Sequence, residues 1–323
     1  MGLEIKGVDK LVGGEVHLKD IDLKLESGSR YVVLGRTLAG KTSLLRIMAG
    51  LDKPTRGSVM ADGKDVTGMS VRKRSVAMVY QQFINYPSLT IYENIASPMR
   101  IHGEKKDVID KRVREAAGML HIEHLLDRLP AELSGGQQQR CAIARALVKD
   151  VDLLLLDEPL VNLDYKLREE LRDELQDIFD RRESVVVYTT TEPTEALMLG
   201  GNILVMHEGR VLQTGPTPEV YLHPATTRVA KVFSDPPINF IDGRVDGGEI
   251  RVGADLRFAP EGELAGLESG EYRFGVRSNK LYLACTDDAQ LCLNGEVELA
   301  EINGSETFVH FHYGDSSLVV QDD

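Results

Sequence analysis

The octapeptide GRTLAGKT, Gly35 to Thr42, constrains the fold of this chain more than any other stretch. It satisfies the pattern GxxxxGK[ST], directly after the apolar run Tyr31 to Leu34 and directly before a helical pattern from about Lys41 to Ala49. A strand that turns through a glycine-rich loop into a helix leaves backbone N–H groups converging on one spot, which is a cradle for phosphate. On this reading Gly35, Arg36, Thr37, Leu38, Ala39, Gly40, Lys41, Thr42 and Ser43 surround nucleotide phosphates, with Lys41 as a point charge and the Thr42 hydroxyl on Mg²⁺. A chance glycine-rich turn is the bland alternative.

Two further segments speak to the same chemistry. In VDLLLLDEP, Val151 to Pro159, an apolar strand delivers two adjacent carboxylates at its C-terminal end, where ligands of open α/β sheets gather. Asp157 there orients Mg²⁺, and Glu158 polarises a water for attack on a γ-phosphate. A solvated acidic strand end is the competing view. In LSGGQQQR, Leu133 to Arg140, two glycines permit close backbone approach, Ser134 offers a hydroxyl, and CAIARALV continues as a helix. Ser134, Gly135, Gly136 and Gln137 are therefore candidate phosphate contacts at a second helix N-terminus, against the plainer reading of a loop with a capping glycine.

The chain around these motifs reads as an α/β protein. Strand-like runs at Tyr31 to Leu34, Val76 to Tyr80, Val151 to Leu156, Val185 to Thr189 and Ile203 to Met206 alternate with helical patterns, which predicts a largely parallel buried sheet. Ile109, Val113, Ala116 and Leu120 recur at helical spacing, predicting a helical insert before the SGGQ segment, over residues 85–150 or so. The run Lys166 to Glu183, within a helix from about Tyr165 to Arg182, reads as a solvated helix face. Near Ser234 the texture changes: Pro236 and Pro237 end the α/β pattern and short alternating strands follow. The expected domains are 1–235 and 236–323, the second a small β barrel or sandwich with a hairpin formed by Glu296 to Ile302 and Thr307 to Tyr313.

Bulk properties narrow the partners. The formal net charge of −13 works against a polyphosphate backbone, so nucleic acid is not expected as a partner. No apolar run approaches the roughly 20 residues needed to cross a bilayer, and the N-terminus lacks the apolar core of a secretory signal, so any membrane role comes through a partner. Cys141, Cys285 and Cys292 form an odd set without metal-ligand spacing, which fits reduced thiols in a cytosolic protein. The pairs His121/His124 and His310/His312 share helix or strand faces but bring no clustered Cys or carboxylate, and read as solvated or packed histidines rather than metal ligands.

Together, in this order, GRTLAGKT, LSGGQ and LLLLDEP resemble the ABC transporter ATPase family, for which LSGGQ is diagnostic. The resemblance implies a P-loop NTPase fold with a helical subdomain. It also implies ATP and Mg²⁺ as cofactors and a head-to-tail dimer, in which the P-loop of one subunit and LSGGQ of the other enclose one ATP. It places Gln81 at the glutamine that contacts Mg²⁺ and water, with Gln82 as the alternative, and matches Asn162, Leu163 and Asp164 to the segment after the strand carboxylates. Phe83, Tyr86, Leu89 and Tyr92 lie where the family docks a coupling helix of its membrane subunit, against the alternative of an ordinary buried cluster. Through GPTPEVYLHP, FSDPPINF and VELAEINGSETFVHFHYG the resemblance extends to carbohydrate importers whose ATPases carry a C-terminal OB-like regulatory β domain. YTTTEPTEALMLGG points within that group to glycerol or polyol uptake. Expected partners are two membrane-spanning permease subunits, a second ATPase and, indirectly, a periplasmic or extracellular solute-binding protein, with this chain on the cytoplasmic face of a bacterial cell membrane.

Three departures fall on the chain's own nucleotide pocket. Thr191 stands where the family has a switch histidine that bonds the γ-phosphate, a contact worth about 1.5–3 kcal/mol, or a roughly 10- to 100-fold slower hydrolysis. Val12 stands where an aromatic ring stacks on adenine, a contact worth about 1–3 kcal/mol, and Leu38 where glycine is common. The LSGGQ residues that serve the partner's pocket are intact, so the expectation is one half of an asymmetric heterodimer whose own site is slow. The rival is a mainly structural or regulatory nucleotide-binding subunit, and Glu158 argues against complete inactivity. An ABC protein of translation or repair would bring two cassettes or a long coiled-coil insert, and neither is present.

Overall fold

The computed structural model describes residues 1–161, 163, 165–253, 255–284, 291–302 and 306–322. They form two compact units, Met1–Ala225 and Thr226–Asp323, a division that falls ahead of the change in sequence texture near Ser234.

The first unit opens with a hairpin of β1 (Leu3–Val12) and β2 (Glu15–Leu25), followed by β3 (Arg30–Leu34) and α1 (Lys41–Ala49). Adding β4 (Arg56–Ala61) and β5 (Lys64–Asp65) gives an antiparallel sheet of order β2-β1-β4-β5. After β6 (Val76–Val79) comes a helical insert of α2 (Ile91–Ile101), α3 (Lys106–Met119) and α4 (Gly135–Leu147). The unit continues with β7 (Leu153–Asp157), α5 (Tyr165–Asp180), β8 (Val185–Thr190), α6 (Pro193–Leu199), β9 (Asn202–His207), β10 (Arg210–Pro216) and α7 (Thr217–Leu222). A second sheet has the order β10-β9-β3-β8-β7-β6, parallel throughout except for the antiparallel edge pair β9 and β10.

All five apolar runs read from the sequence lie in this second sheet. Every residue of β7 and β8 is buried, the condition under which a strand reads as a continuous apolar run rather than an alternating one. In α3 the predicted face is buried at Ile109, Val113 and Ala116, with Leu120 just beyond the helix end. The expectation of a solvated face on α5 is corrected in part. Leu171, Leu175, Ile178 and Phe179 are core residues, Arg172 is 9% exposed between Glu169 and Asp173, and Arg168 reaches Glu192 in an ion pair. His121 and His124 are not on one helix face: His121 takes a left-handed turn (φ 54°) after α3, and His124 lies in a short 3₁₀ turn.

The second unit begins with α8 (Thr227–Val232) and carries an antiparallel sheet of β11 (Asn239–Asp246), β12 (Glu249–Val252), β13 (Leu256–Phe258) and β14 (Gly270–Val276). Its second antiparallel sheet contains β15 (Glu296–Ile302), β16 (Thr307–Tyr313) and β17 (Ser316–Asp322). The two sheets share a core that includes Ile241, Ile250, Val252, Phe311, Tyr313 and Leu318, the small all-β, OB-like architecture expected. Tyr313 is its polar hub, its hydroxyl donating to Asp255 Oδ1 at 2.6 Å and accepting the Leu256 N–H at 3.0 Å. Asn239 joins the sheets by exchanging hydrogen bonds of 2.8 and 2.7 Å with the backbone of Val319. One expectation fails here: Cys292 is disulfide-bonded rather than reduced, while Cys285 lies outside the described residues. Cys141 is a free, buried thiol pushed up to about 12 by burial.

Candidate active site

The carboxyl ends of β3, β7 and β8 lie side by side, and their register decides which side chains meet. Leu34 pairs with Thr190 on one side of β8, and Asp157 pairs with Thr189 on the other. The loop from Gly35 to Gly40 therefore starts beside the strand ends that carry the acidic pair, and α1 leads away from it.

The loop is shaped by what surrounds it. A Cβ on Gly35 would lie 2.7 Å from the Met206 carbonyl oxygen, and one on Gly40 (φ 100°) would lie 2.7 Å from that of His17. Neither position accepts a side chain. Arg36 and Thr37 are exposed, Ala39 is buried, and the Ala39 N–H closes a tight turn onto the Arg36 carbonyl at 3.0 Å. Leu38 occupies the left-handed region (φ 67°) with its side chain 94% exposed, so the loop keeps its shape despite the missing glycine, at a cost of about 1–2 kcal/mol.

Lys41 is 3% exposed. Its ammonium donates to the carbonyls of Gly35 (2.7 Å) and Arg36 (3.2 Å) and pairs with Glu158 Oε1 at 3.0 Å. A buried cation held in this way at a helix N-terminus fits a phosphate ligand. Thr42 donates to Asp157 Oδ1 at 3.1 Å, and Asp157 is buried with its carboxyl raised above the ordinary aspartate value, mainly by desolvation. A hydroxyl and a buried carboxylate form the hard oxygen set that suits Mg²⁺, whose charge would offset the cost of ionising Asp157. Gln81 donates to Glu158 Oε2 at 3.4 Å. These five thus form two hydrogen-bonded groups, Thr42 with Asp157 and Lys41 and Gln81 with Glu158, carried by neighbouring residues at one strand end.

Sequence reasoning missed two members. Thr189, fully buried, accepts the Glu158 N–H at 2.9 Å and donates to Asp157 Oδ1 at 3.0 Å. His17 Nδ1 lies 3.1 Å from Ser43 Oγ, which puts an imidazole beside the first turn of α1. Thr189 lies in the YTTTEPTEALMLGG segment, where only Thr191 was singled out, and it meets Asp157 through strand register, whereas His17 lies in no motif and meets Ser43 between β2 and α1. Val12, at the end of β1, is 46% exposed and leaves an apolar surface with Leu11 and Val16.

Thr191 follows β8 and lines a water-sized cavity of about 10 Å³, together with Glu158, Thr190 and Glu192. Around it Tyr188 donates to Glu195 Oε1 at 2.7 Å, and burial raises the Glu195 carboxyl. Arg168 also donates to the Leu163 carbonyl at 3.4 Å, while Asn162 and Asp164 lie outside the described residues.

Ser134, Gly135, Gly136 and Gln137 start α4, in the helical insert rather than on the sheet. Ser134 caps the helix: its Oγ accepts the Gln137 N–H at 3.4 Å, and Gln137 Oε1 accepts the Ser134 N–H at 3.0 Å. Ser134 and Gly135 are exposed, whereas a Cβ on Gly136 would meet Leu167 Cδ2 at 2.1 Å. The cluster Phe83, Tyr86, Leu89 and Tyr92 is not a buried one: Tyr86 is 47% exposed and the others are partly exposed. Arg145 lies over the Tyr86 ring at 5.1 Å, and Asn94 Oδ1 accepts the Tyr86 N–H at 2.7 Å, so Tyr86 is anchored from both its ring and its backbone.

Comparison with known proteins places this geometry. The family described as ABC transporter matches residues 18–161. The trehalose/maltose import ATP-binding protein MalK of Thermococcus litoralis is 38% identical over 341 residues, covering 98% of this chain and 90% of that protein. The sn-glycerol-3-phosphate import ATP-binding protein UgpC of Salmonella typhi is 36% identical over 323 residues, covering 99% and 90%. Among solved structures, the dimeric post-hydrolysis state of the ATP-binding cassette MJ0796 bound to ADP and Pi aligns with a TM-score of 0.61 and 30% identity, over 67% of this chain and 98% of that one. The cbiO1 protein of Clostridium perfringens, part of the ABC transporter complex cbiONQ, aligns with a TM-score of 0.62 and 28% identity, over 71% and 94%. Among the described residues, no helix is long and apolar enough to cross a membrane.

Proposed function

The chain belongs to the ABC transporter family as an ATP-binding, ATP-hydrolysing subunit, and from that premise we propose that it is one half of an asymmetric ATPase pair driving uptake of a small polyol or sugar, glycerol foremost. The observation that carries the asymmetry is Thr191 beside Glu158, in a segment where the resemblance calls for a histidine. The polyol reading draws support from relatives named for import of sn-glycerol-3-phosphate and of trehalose and maltose.

In this chain's own site Lys41 and the backbone at Gly35 to Gly40 hold the phosphates, while Thr42, Asp157 and Gln81 hold Mg²⁺. Mg²⁺, when bound, neutralises charge on the phosphate oxygens. Glu158 orients the attacking water and takes up its proton through its carboxylate. Thr191 has a hydroxyl but no imidazole to reach the γ-phosphate, which leaves this site the slower of two. Ser134, Gly135, Gly136 and Gln137 complete the pocket of a paralogous ATPase in trans, to which the exposed Ser134 and Gly135 are open. Val12 gives the base an apolar contact in place of a stacked ring.

The pair works on the cytoplasmic face of the cell membrane with two permease subunits and serves a solute-binding protein indirectly. A groove of about 240 Å³, with Tyr80, Tyr86, Pro98, Ile101 and Arg145 in its wall and Ile101 81% exposed, supports docking of a permease helix there. Residues 236–323 form the regulatory domain in this reading. The mainly structural reading is favoured by the same Thr191, and the test separates the two.

The assembly purified through this subunit is reconstituted in vesicles, and uptake of labelled glycerol, sn-glycerol-3-phosphate and maltose is measured with wild-type and Glu158→Gln chains. The proposal expects a second ATPase to copurify, glycerol to be preferred, and Glu158→Gln to slow uptake. Full turnover by this chain alone overturns the asymmetric pair. Unchanged uptake with Glu158→Gln favours the structural subunit.

A further inference from the structure

We propose that Thr189 is a positioning residue for ATP hydrolysis, locking the metal-side carboxylate Asp157 and the backbone of Glu158 into one hydrogen-bonded unit. The inference rests on the ATPase reading of the site and gives a role to a residue of the YTTTEPTEALMLGG segment other than Thr191.

Thr189 lies in a strand of which every residue is buried, and its own exposure is zero. A buried hydroxyl has to find partners within the protein, and all of those found here belong to the strand that carries the acidic pair. The Thr189 hydroxyl has one proton. Asp157 Oδ1 at 3.0 Å is its better acceptor, the Leu156 carbonyl lying at 3.5 Å. Its lone pair accepts the Glu158 N–H at 2.9 Å. The register explains the meeting: Asp157 pairs with Thr189 across the parallel strands, so the two side chains leave the sheet on the same face.

Two consequences meet at this hydroxyl. Asp157 Oδ1 accepts from Thr42 as well as from Thr189, so its rotamer is fixed from both sides and the direction in which it serves a cation is set before binding. Glu158 sits in the left-handed region (φ 44°), unfavourable for a side-chain-bearing residue and retained only where neighbours over-determine it. The bond from its N–H to Thr189 is one such constraint, and it aims the carboxylate at Lys41 and Gln81. A single side chain therefore links the orientation of the metal-side group to that of the water-orienting group.

Valine has the shape of threonine without the hydroxyl, so Thr189→Val is the informative change and Thr189→Ser the rescue. The assembly carrying each variant is assayed for ATPase rate against Mg²⁺ concentration. In parallel, the purified chain is titrated with Mn²⁺ in the presence of ATP by electron paramagnetic resonance, which reads metal binding without turnover. Thr189→Val is expected to weaken metal binding and to lower kcat at saturating metal, each roughly 10- to 100-fold. ATP binding measured in EDTA stays within about twofold, because the Lys41 cradle is intact, and Thr189→Ser restores the metal titration to within about threefold. Should Thr189→Val fold poorly, Thr189→Ala compared with Thr189→Ser carries the same contrast. Unaltered Mn²⁺ binding in a folded valine or alanine variant overturns the proposal, as does failure of serine to rescue. Lost metal binding in the valine variant of an assembly whose wild-type turnover is insensitive to Glu158→Gln counts against the ATPase reading alone, since the metal titration does not depend on it.

Discussion

Asp157 is held in two minds by its surroundings. Burial raises its carboxyl above the ordinary 3.8, while hydrogen bonds from Thr42 and Thr189 pull the other way. With the folded value raised, the folded state binds more protons than the unfolded one across the window from 3.8 to the raised value. Stability from this group is thus present below that window and lost as pH rises through it. Asp157→Asn removes the ionisation cost and should raise the melting temperature of the nucleotide-free chain at pH 7, with the gap closing near pH 3.8 and below. The same variant should lose the extra thermal stabilisation that Mg²⁺ adds to ATP. Melting curves against pH, with and without MgATP, check both. At this scale Lys41, Thr42, Asp157 and Glu158 were legible from spacing, because a strand, a loop and a helix are local objects, while Gln81 came only from the family resemblance, with Gln82 as the alternative. Thr189 and His17 were not, since each meets its partner only in the folded chain, Thr189 across β7 and β8 and His17 between β2 and α1.

Elements were read with little error where periodicity was strong. The boundaries of α1 and of the hairpin strands β15 and β16 coincide with the sequence reading. The α5 face is solvated at Lys166, Glu170 and Asp173 as the charged run suggests, but Arg168 and Arg172 do not share it: their guanidinium groups lie partly buried with carboxylates in hand. His121 was misplaced because a left-handed residue ends its helix one step earlier than a periodicity count allows. The packing of α4 against α5 gives a prediction of its own. A methyl at Gly136 would push aside the Cδ2 end of the partly exposed Leu167 and press on Leu163 Cδ2 at 3.3 Å, so Gly136→Ala should cost no more than about 1 kcal/mol, read as a slightly lower urea midpoint at unchanged slope.

At the scale of the molecule, the change in texture near Ser234 announced a second domain, whereas compactness places the division at 225/226, since the helical pattern of α8 runs on into the second unit. The β unit is small, with a core of modest extent, so its polar hub matters out of proportion. Tyr313→Phe deletes a hydroxyl that serves Asp255, Leu256 and the Val252 carbonyl, and should destabilise this unit by about 1–2 kcal/mol. Calorimetry should then show the loss in the transition of the β unit, with nucleotide binding by the first unit unchanged. The disulfide at Cys292 was invisible in the sequence because an odd set of three cysteines with no metal-ligand spacing reads most simply as thiols.

The glycine loop between β3 and α1 is pinched at both feet by carbonyls of remote strands, Met206 beneath Gly35 and His17 beneath Gly40, while its crest at Leu38 stands free. Drift in such a loop has one open direction: residues at the feet are frozen by chain segments far from the phosphates, and the summit can trade its glycine for leucine without the arch collapsing. A bulky crest then stands in solvent on the outer rim, where its size is felt by nothing that fixes the feet.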